Sequence, residues 1–478
     1  MKYDAIIIGA GLGGLTAGAK LSKAGKKVLL VEQHSIPGGC ATTFERKGFR
    51  FEVGLHEMDG LHPRDMKTKV FRDLGVFDHV EFLKVPEFYR FVYKDYDIVI
   101  SHNPEEARSE LLKHFPDEEE GIDAYFFHIL NAKQYINDNA NKEEQNVGDF
   151  LDSIIDSNAL KLALLGNLGY FHDDPYTLSL SYYLMAQGSY YAGGGNFIKG
   201  GSQKLSDYLA DYIRQNGGVV LLSHLVTEII VENEKAIGIS YKKKSSDNIE
   251  KVFGEHIIAN AAIPTVASKL LPSGNANSLL KEIQKRDIGA SLLTIYFGFN
   301  KAIKSLGNKH YSVFQYDNSI ASPKDILANN RGDFKNRSFT FVDYSQVDSA
   351  LAPEGKSVGV VCCIDYIKDW ESLSKEEYKA RKEEVAQIYI EKLEKLIPGF
   401  RDAIAYYEVG TSKTVARYTL NPKGAVYGFA QTPERTKLEA LKSIENLYFA
   451  SAWTKIGGGF SGAIFNGYMT AFGILRKR

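Results

Sequence analysis

Hydrophobic positions fall into two alternating textures along the chain. The first is short strands joined to helices. It opens with Ala5-Ile6-Ile7-Ile8, an unbroken apolar run of the length expected of a buried parallel strand. Leu15, Ala19 and Leu21 follow at helical spacing until Gly25, and residues 28–31 give a second apolar strand. The same texture resumes at residue 199. Leu205, Leu209, Tyr212 and Ile213 share a helical face that Gly217-Gly218 ends, and 219–222 is a further strand. Residues 225–232 and 236–241 alternate around Asn233-Glu234-Lys235 as a hairpin does, and 256–261 returns to the core. A strand at 447–450, the turn Gly457-Gly458-Gly459 and a last helix complete this set.

The second texture occupies two insertions. Between 70 and 195, segments 105–115, 120–131 and 151–165 are helical in period, and tyrosine and phenylalanine become frequent. From 288 to 410 come strands at 291–297, 338–342 and 357–364, then an amphipathic helix from 375 to about 396. Ser374 and Glu377 form its capping box, Val385, Ile388, Leu393 and Leu396 face inward, and Pro398-Gly399 stops it. The pattern predicts an α/β nucleotide-binding core interrupted twice by a mixed α+β domain. No internal repeat is visible.

Candidate chemistry begins with Gly9, Gly11 and Gly14, the spacing G-x-G-x-x-G, placed between the first strand and the first helix. Gly9 allows the tight turn, Gly11 lets backbone approach a pyrophosphate, and Gly14 lets helix and sheet pack closely. Leu12 and Gly13 open the helix, whose first N–H groups are free for phosphate oxygens. Glu32 ends the second strand, where its carboxylate can accept from both hydroxyls of a ribose. A glycine motif in this strand-turn-helix context, with the acid in place, predicts a dinucleotide site. The pair Gly38-Gly39 resembles the extended fingerprint of large FAD-dependent oxidoreductases, so the expected cofactor is FAD rather than NAD.

Bulk properties narrow the setting. The 478 residues are enough for two or more cores, at about 150 residues per domain. Lys plus Arg number 58 against 59 Asp plus Glu, a net charge of −1, which gives no reason to expect a nucleic-acid partner. The basic run 242–244 reads as a solvated hairpin tip. Cys40, Cys362 and Cys363 make no disulfide framework and no CxxC, pointing to a reducing, cytoplasmic setting. The N-terminus runs directly into the first strand, leaving no room for a signal peptide. Stretches 176–198 and 456–475 are uncharged and long enough to span a bilayer, but glycine and polar residues pervade both. They read as cavity-lining and cofactor-binding respectively, with peripheral membrane contact left open. No His/Cys cluster has metal-ligand spacing, so no metal is expected.

Taken together, the segments resemble the phytoene desaturase, carotenoid isomerase and retinol saturase family of FAD-dependent oxidoreductases over the whole chain. The likeness rests on the N-terminal fingerprint, on GGSQKL…GGVVLL…VTEI…IIANAAIP, on TSKTVARYTLNPKGAVYG at 411–428, and on NLYFASAWTKIGGGFSGAIFNGYMTA. The stretch 38–44 with Gly54-Leu55-His56 is most similar to the saturase branch. The resemblance implies a Rossmann-like FAD-binding domain of amine-oxidase type, built from 1–70, 199–287 and 411–478, and a substrate domain from 71–198 and 288–410. It implies adenine contact from Val226 and a returning loop through Thr42. Flavin contact would come from Gly458, Gly459, Phe460 and Ser461 at the start of the last helix. Where relatives place an acid for the ribityl chain, this sequence has Ser451, a departure that puts the detail of ribityl binding in question.

The expected reaction is hydrogen addition to, or removal from, a C=C bond of a long apolar polyene or isoprenoid. A redox-neutral isomerase and an amine oxidase are the competing enzymatic readings. A non-catalytic lipid-binding module, as in Rab GDP-dissociation inhibitors, disagrees with the intact glycine set. With no second dinucleotide fingerprint, electrons would pass to or from an external carrier: a quinone, oxygen or a separate reductase. The resemblance sets His56 near the flavin as the catalytic candidate, against the reading of an ordinary core histidine. Tyr183, Tyr190, Tyr191 and Phe197, with Tyr182 and the aromatics Phe88, Tyr89, Phe91 and Tyr93, suit a long apolar cavity or equally a packed core.

Overall fold

A computed structural model describes residues 2–436, 441 and 443–476. Strand β1 (Lys2–Ile8), helix α1 (Leu12–Lys23) and strand β2 (Val28–Val31) form the opening unit. Because β1 and β2 are covered on both faces, their apolar runs are continuous rather than alternating. They lie in a seven-stranded sheet. Its path runs Val219–Leu221, β2, β1, Ile249–Ala259, Lys235–Lys243 and His224–Glu232, and Leu447–Phe449 also pairs with Ile249–Ala259. β1 pairs in parallel with both neighbours, whereas the last three strands of the path form an antiparallel meander. The predicted hairpin at 225–241 is the outer part of that meander.

A second seven-stranded sheet draws on both insertions. Its order is Ile404–Gly410, Ser291–Phe299, Ser357–Asp365, Phe339–Asp343, Ser312–Gln315, Tyr89–Tyr93 and Tyr96–Ile100. Alternation along Ser291–Phe299 gives the sheet two characters. Leu293, Ile295 and Phe297 pack with Tyr389, Ile390 and Leu393 of the helix Lys375–Leu396, and Leu292, Thr294 and Tyr296 face a cavity. That helix has the capping box expected of Ser374 and Glu377. The single helix expected at 151–165 is two, Val147–Ile154 and Asn158–Leu164, because Ser157 accepts from the Leu160 N–H and starts a new helix. Residues 176–198 are no spanning segment: they hold the helix Leu180–Gly193 and then the strand Gly195–Ile198. Among the described residues no helix is long and apolar enough to cross a membrane.

The first and last helices meet at their glycines. A Cβ on Gly13 would fall 1.8 Å from the Ala450 carbonyl oxygen, and one on Gly467 would fall 2.1 Å from the Gly13 oxygen. The last helix, Gly459–Arg476, therefore lies directly on α1.

Candidate functional site

One cavity of about 1230 Å³ joins the glycine turn of the first sheet to the inner face of the second. At one end it is lined by Gly9, Gly11, Leu12, Gly13, Glu32, Gly38, Gly39 and Val226. Gly9 takes φ +94° with a Cβ position 2.7 Å from the Asn260 oxygen, so only glycine fits. Gly11 is the extended N-cap of α1 and offers no side-chain cap, which leaves the first N–H groups of that helix unpaired toward the cavity wall. Gly38 donates to Ala10 O at 2.7 Å and bridges Gly11, holding the glycine pair against the turn. Glu32 is buried; one carboxylate oxygen accepts from Ala10 N–H at 2.6 Å and the other from His34 N–H at 2.8 Å. An uncapped helix start, a backbone cradle without side chains and a fixed carboxylate fit the diphosphate and ribose of a dinucleotide.

Gly14 and Thr42 lie off the cavity wall. A Cβ on Gly14 would sit 2.2 Å from Gly9 O, so this glycine serves the close passage of α1 over the turn. Thr42 hydrogen-bonds Gln203 instead. Sequence reasoning missed Asn260, which follows the strand Ile249–Ala259, donates to Gly9 O at 3.2 Å and lines the cavity. Glu52 was also missed. It accepts from the N–H groups of Gly54, Leu55 and Ser202 and from the Ser202 hydroxyl, fastening the 54–55 loop to the start of the helix Gln203–Gln215. Burial outweighs these donors and pushes its carboxyl up to about 7. A folded-state value above the ordinary 4.5 means the contribution is fully present below pH 4.5 and lost as pH rises through 7. Glu52→Gln should flatten this part of the pH–stability curve, measured as urea midpoints between pH 4.5 and 8.

Ser451, Gly458, Gly459, Phe460 and Ser461 also line the cavity, around the start of the last helix. Ser451 has turned its carbonyl to Asn466 Nδ2, at 3.2 Å. Ser461 belongs to a polar cluster invisible in the sequence. Its hydroxyl donates to Asp59, and Lys67 Nζ reaches Ser461 Oγ at 2.9 Å, Asp65 at 3.1 Å and Asp59 at 3.5 Å. Burial opposes ionisation of Asp59, yet the Lys67 ammonium and the serine hydroxyls hold its carboxyl below the usual range. Lys67→Met should destabilise the protein by about 2–3 kcal/mol by leaving two partly buried carboxylates without their cation, measurable by equilibrium urea denaturation.

His56 is on the wall, with its ring 5.7 Å from that of Tyr170. Burial lowers its pKa to about 4, so it is neutral near pH 7. Tyr190 also lines the cavity. The substrate-contact expectation for Tyr183, Tyr191 and Phe197 is corrected. Tyr183 is fully buried, donating to Leu164 O at 2.9 Å. Tyr191 packs edge-on to Phe88 and Phe126, and Phe197 packs on Tyr344. Phe88, Tyr89, Phe91 and Tyr93 belong to the same core as Tyr183 and Tyr191, whereas Phe197 is part of the core under the first sheet. The sequence showed aromatic density but not which ring faces inward. The actual apolar wall comes from Tyr182, Phe314, Tyr316, Phe339 and Tyr427. No metal-holding group of His, Cys, Asp or Glu occurs among the described residues.

A dinucleotide cradle on the parallel strands of one sheet, opening onto a second, mostly antiparallel sheet, fits the flavoprotein oxidoreductase class. The sequence pattern of the flavin containing amine oxidoreductase family matches residues 12–475, and the chain belongs to that family. Its cofactor is FAD, and the protein is an FAD-dependent oxidoreductase. Among relatives, a chloroplastic prolycopene isomerase of Daucus carota is 28% identical, covering 98% of this chain and 79% of the carrot protein. An all-trans-retinol 13,14-reductase of Danio rerio is 25% identical, covering 99% and 86%. An oxidoreductase structure from Methanosarcina mazei superposes with a TM-score of 0.68 at 19% identity over 99% of this chain and all of that one.

Proposed function

We propose that the protein adds or removes hydrogen across a C=C bond of a long apolar polyene or isoprenoid, such as a carotenoid or retinoid. The observation that carries this reading is the single continuous cavity, about 1230 Å³, which runs from the glycine turn and Glu32 to an aromatic wall at Phe314, Tyr316 and Phe339. Such a wall suits a long apolar chain. The likeness to a prolycopene isomerase, a retinol reductase and a diapophytoene desaturase supports the same substrate class.

In this reading Gly9, Gly11, Leu12, Gly13, Gly38 and Gly39 hold the diphosphate, Glu32 the ribose and Val226 the adenine. Ser451, Gly458, Gly459, Phe460 and Ser461 surround the ring system. When bound, FAD supplies the two-electron chemistry, and the protein supplies position, an apolar enclosure and the field at the start of the last helix. His56, being neutral, orients rather than donates charge. We assign 1–70, 199–287 and 411–478 to FAD binding, and 71–198 with 288–410 to substrate binding. Electrons are exchanged with an external carrier, a quinone, oxygen or a separate reductase. The setting is cytoplasmic, with peripheral contact to a membrane from which an apolar substrate enters.

A redox-neutral isomerase is the second reading, favoured by the carrot relative. Incubating the protein with all-trans-retinol or prolycopene, once with its FAD oxidised and once with it reduced by dithionite, and weighing the product separates them: a gained hydrogen pair with reduced FAD means saturation, a lost pair with oxidised FAD desaturation, unchanged mass isomerisation. Hydrogen peroxide release with an amine and no change in either polyene would overturn the proposal.

A further inference from the structure

The cavity face of the second sheet carries one polar row. Its register sets Gly410, Thr294, Cys362 and Thr340 side by side across neighbouring strands, with Phe314 next in line. Residues paired in this way share a face of the sheet, and Thr294, Cys362 and Thr340 all line the cavity. Cys363 points to the opposite side, where Tyr389 donates to its Sγ at 3.1 Å. The pairs two residues away in either direction are apolar or aromatic: Leu292 with Ile364, and Tyr296 with Val360. Ser338, before the strand Phe339–Asp343, has its hydroxyl engaged by the Asp317 N–H and Asn329.

The protein leaves this row open to a ligand. The Thr340 hydroxyl has no hydrogen-bond partner among the described residues, and it is not one of the orphaned polar atoms sealed from open space. Thr294 is half-buried, with its hydroxyl beside that of Tyr296. A Cβ on Gly410 would stand 2.8 Å from Thr294 Oγ1. Gly410 has no positive φ, so what this glycine provides is room for the hydroxyl. Valine would give the same branched shape and strand preference without a hydroxyl. A hydroxyl covered by hydrocarbon and left unpartnered is destabilising, so a pure hydrocarbon would desolvate the row without return. An oxygen on the ligand would satisfy it. Every cavity residue that these strands supply is uncharged, so a carboxylate or an ammonium finds no counter-ion on this wall.

We propose that Thr294 and Thr340 bind an oxygen function of the substrate, so that the preferred polyene or isoprenoid is an alcohol, aldehyde or ketone rather than a hydrocarbon. This rests on the polyene reading above, with 288–410 as substrate-binding, and deepens it by naming the substrate class. A threonine hydroxyl both donates and accepts, so the pair serves an alcohol or a carbonyl oxygen alike. The Cys362 thiol between them adds a weak donor. The row is one residue wide along each strand. It therefore fixes where the oxygen rests, and the apolar pairs on either side take the adjoining hydrocarbon.

Dissociation constants on the holoenzyme with oxidised FAD, followed by polyene absorbance, test this with a matched pair. One ligand is all-trans-retinol, and the other is the hydrocarbon in which a methyl group replaces its CH2OH end. Wild type should bind the alcohol at least about 10-fold more tightly, the worth of one hydrogen bond or more. Thr340→Val should lose about 10-fold of alcohol affinity, and the double variant Thr294→Val, Thr340→Val should bring the two ligands within about 3-fold of each other. Thr340→Ser, which keeps the hydroxyl, should hold most of the preference. Circular dichroism and FAD content show that each variant is folded and loaded. A wild-type preference under about 3-fold, a preference that survives the double variant, or one lost equally in Thr340→Ser and Thr340→Val overturns the role of the row. A holoenzyme that binds neither ligand sinks the underlying polyene reading instead.

Discussion

Gly11→Val is expected to give a folded protein that no longer retains FAD. Gly11 has φ −70° and ψ 169°, a conformation that valine adopts without strain, so the backbone should survive the change. The new Cβ would stand 2.8 Å from Asn260 Nδ2, and its two methyl groups would enter the cavity at the start of α1. A diphosphate and a β-branched side chain cannot share that space. Affinity should drop at least roughly 100-fold, equivalent to about 2.8 kcal/mol. Gel filtration followed by the visible spectrum reads this directly, with circular dichroism as the folding control. A variant that elutes yellow would show that the cofactor runs elsewhere.

A comparable loss, by a different route, should follow from Arg435→Leu. Arg435 is 2% exposed and pairs with no carboxylate among the described residues. Its guanidinium donates instead to the carbonyls of Tyr427, Phe429, Ala452 and Thr454, tying the loop at 427–429 to the one at 452–454. Burial lowers its pKa to about 10, still charged at neutral pH. Tyr427 and Ala452 line the cavity, so the latch shapes that part of the cavity wall. Releasing several buried carbonyls at about 1–3 kcal/mol each, less the desolvation recovered from the charge, should cost about 3 kcal/mol. FAD should also bind more weakly. Urea denaturation and FAD titration measure the two effects, and unchanged stability together with unchanged affinity would refute the latch. Arg435→Lys should recover only part, because an ammonium cannot span four carbonyls at once.

Local sequence grammar carried the nucleotide half of the molecule. Strand, glycine turn, helix and terminal acid at 5–32 are all nearest-neighbour effects, and the strand and helix stand where periodicity places them. The helix Lys375–Leu396 was equally legible from its cap and stop. The interior of the site was not. Glu57 and Gly195 meet where Met58–Asp59 pairs with the strand Gly195–Ile198, His102 accepts from the Gly195 N–H, and Lys67 and Ser461 meet between two helices, all from segments far apart in sequence. No spacing rule encodes such meetings. The aromatic belt failed for a related reason. In the helix Leu180–Gly193, Tyr183 and Tyr191 point into the core while Tyr182 and Tyr190 reach the cavity, and apolar content alone cannot tell those faces apart.

The seating of helix Gly459–Arg476 on Gly13 bears on biosynthesis. The glycine turn leaves the ribosome well before its cover does. FAD loading should therefore wait until that helix has been made, and nascent chains stalled before residue 459 should be colourless.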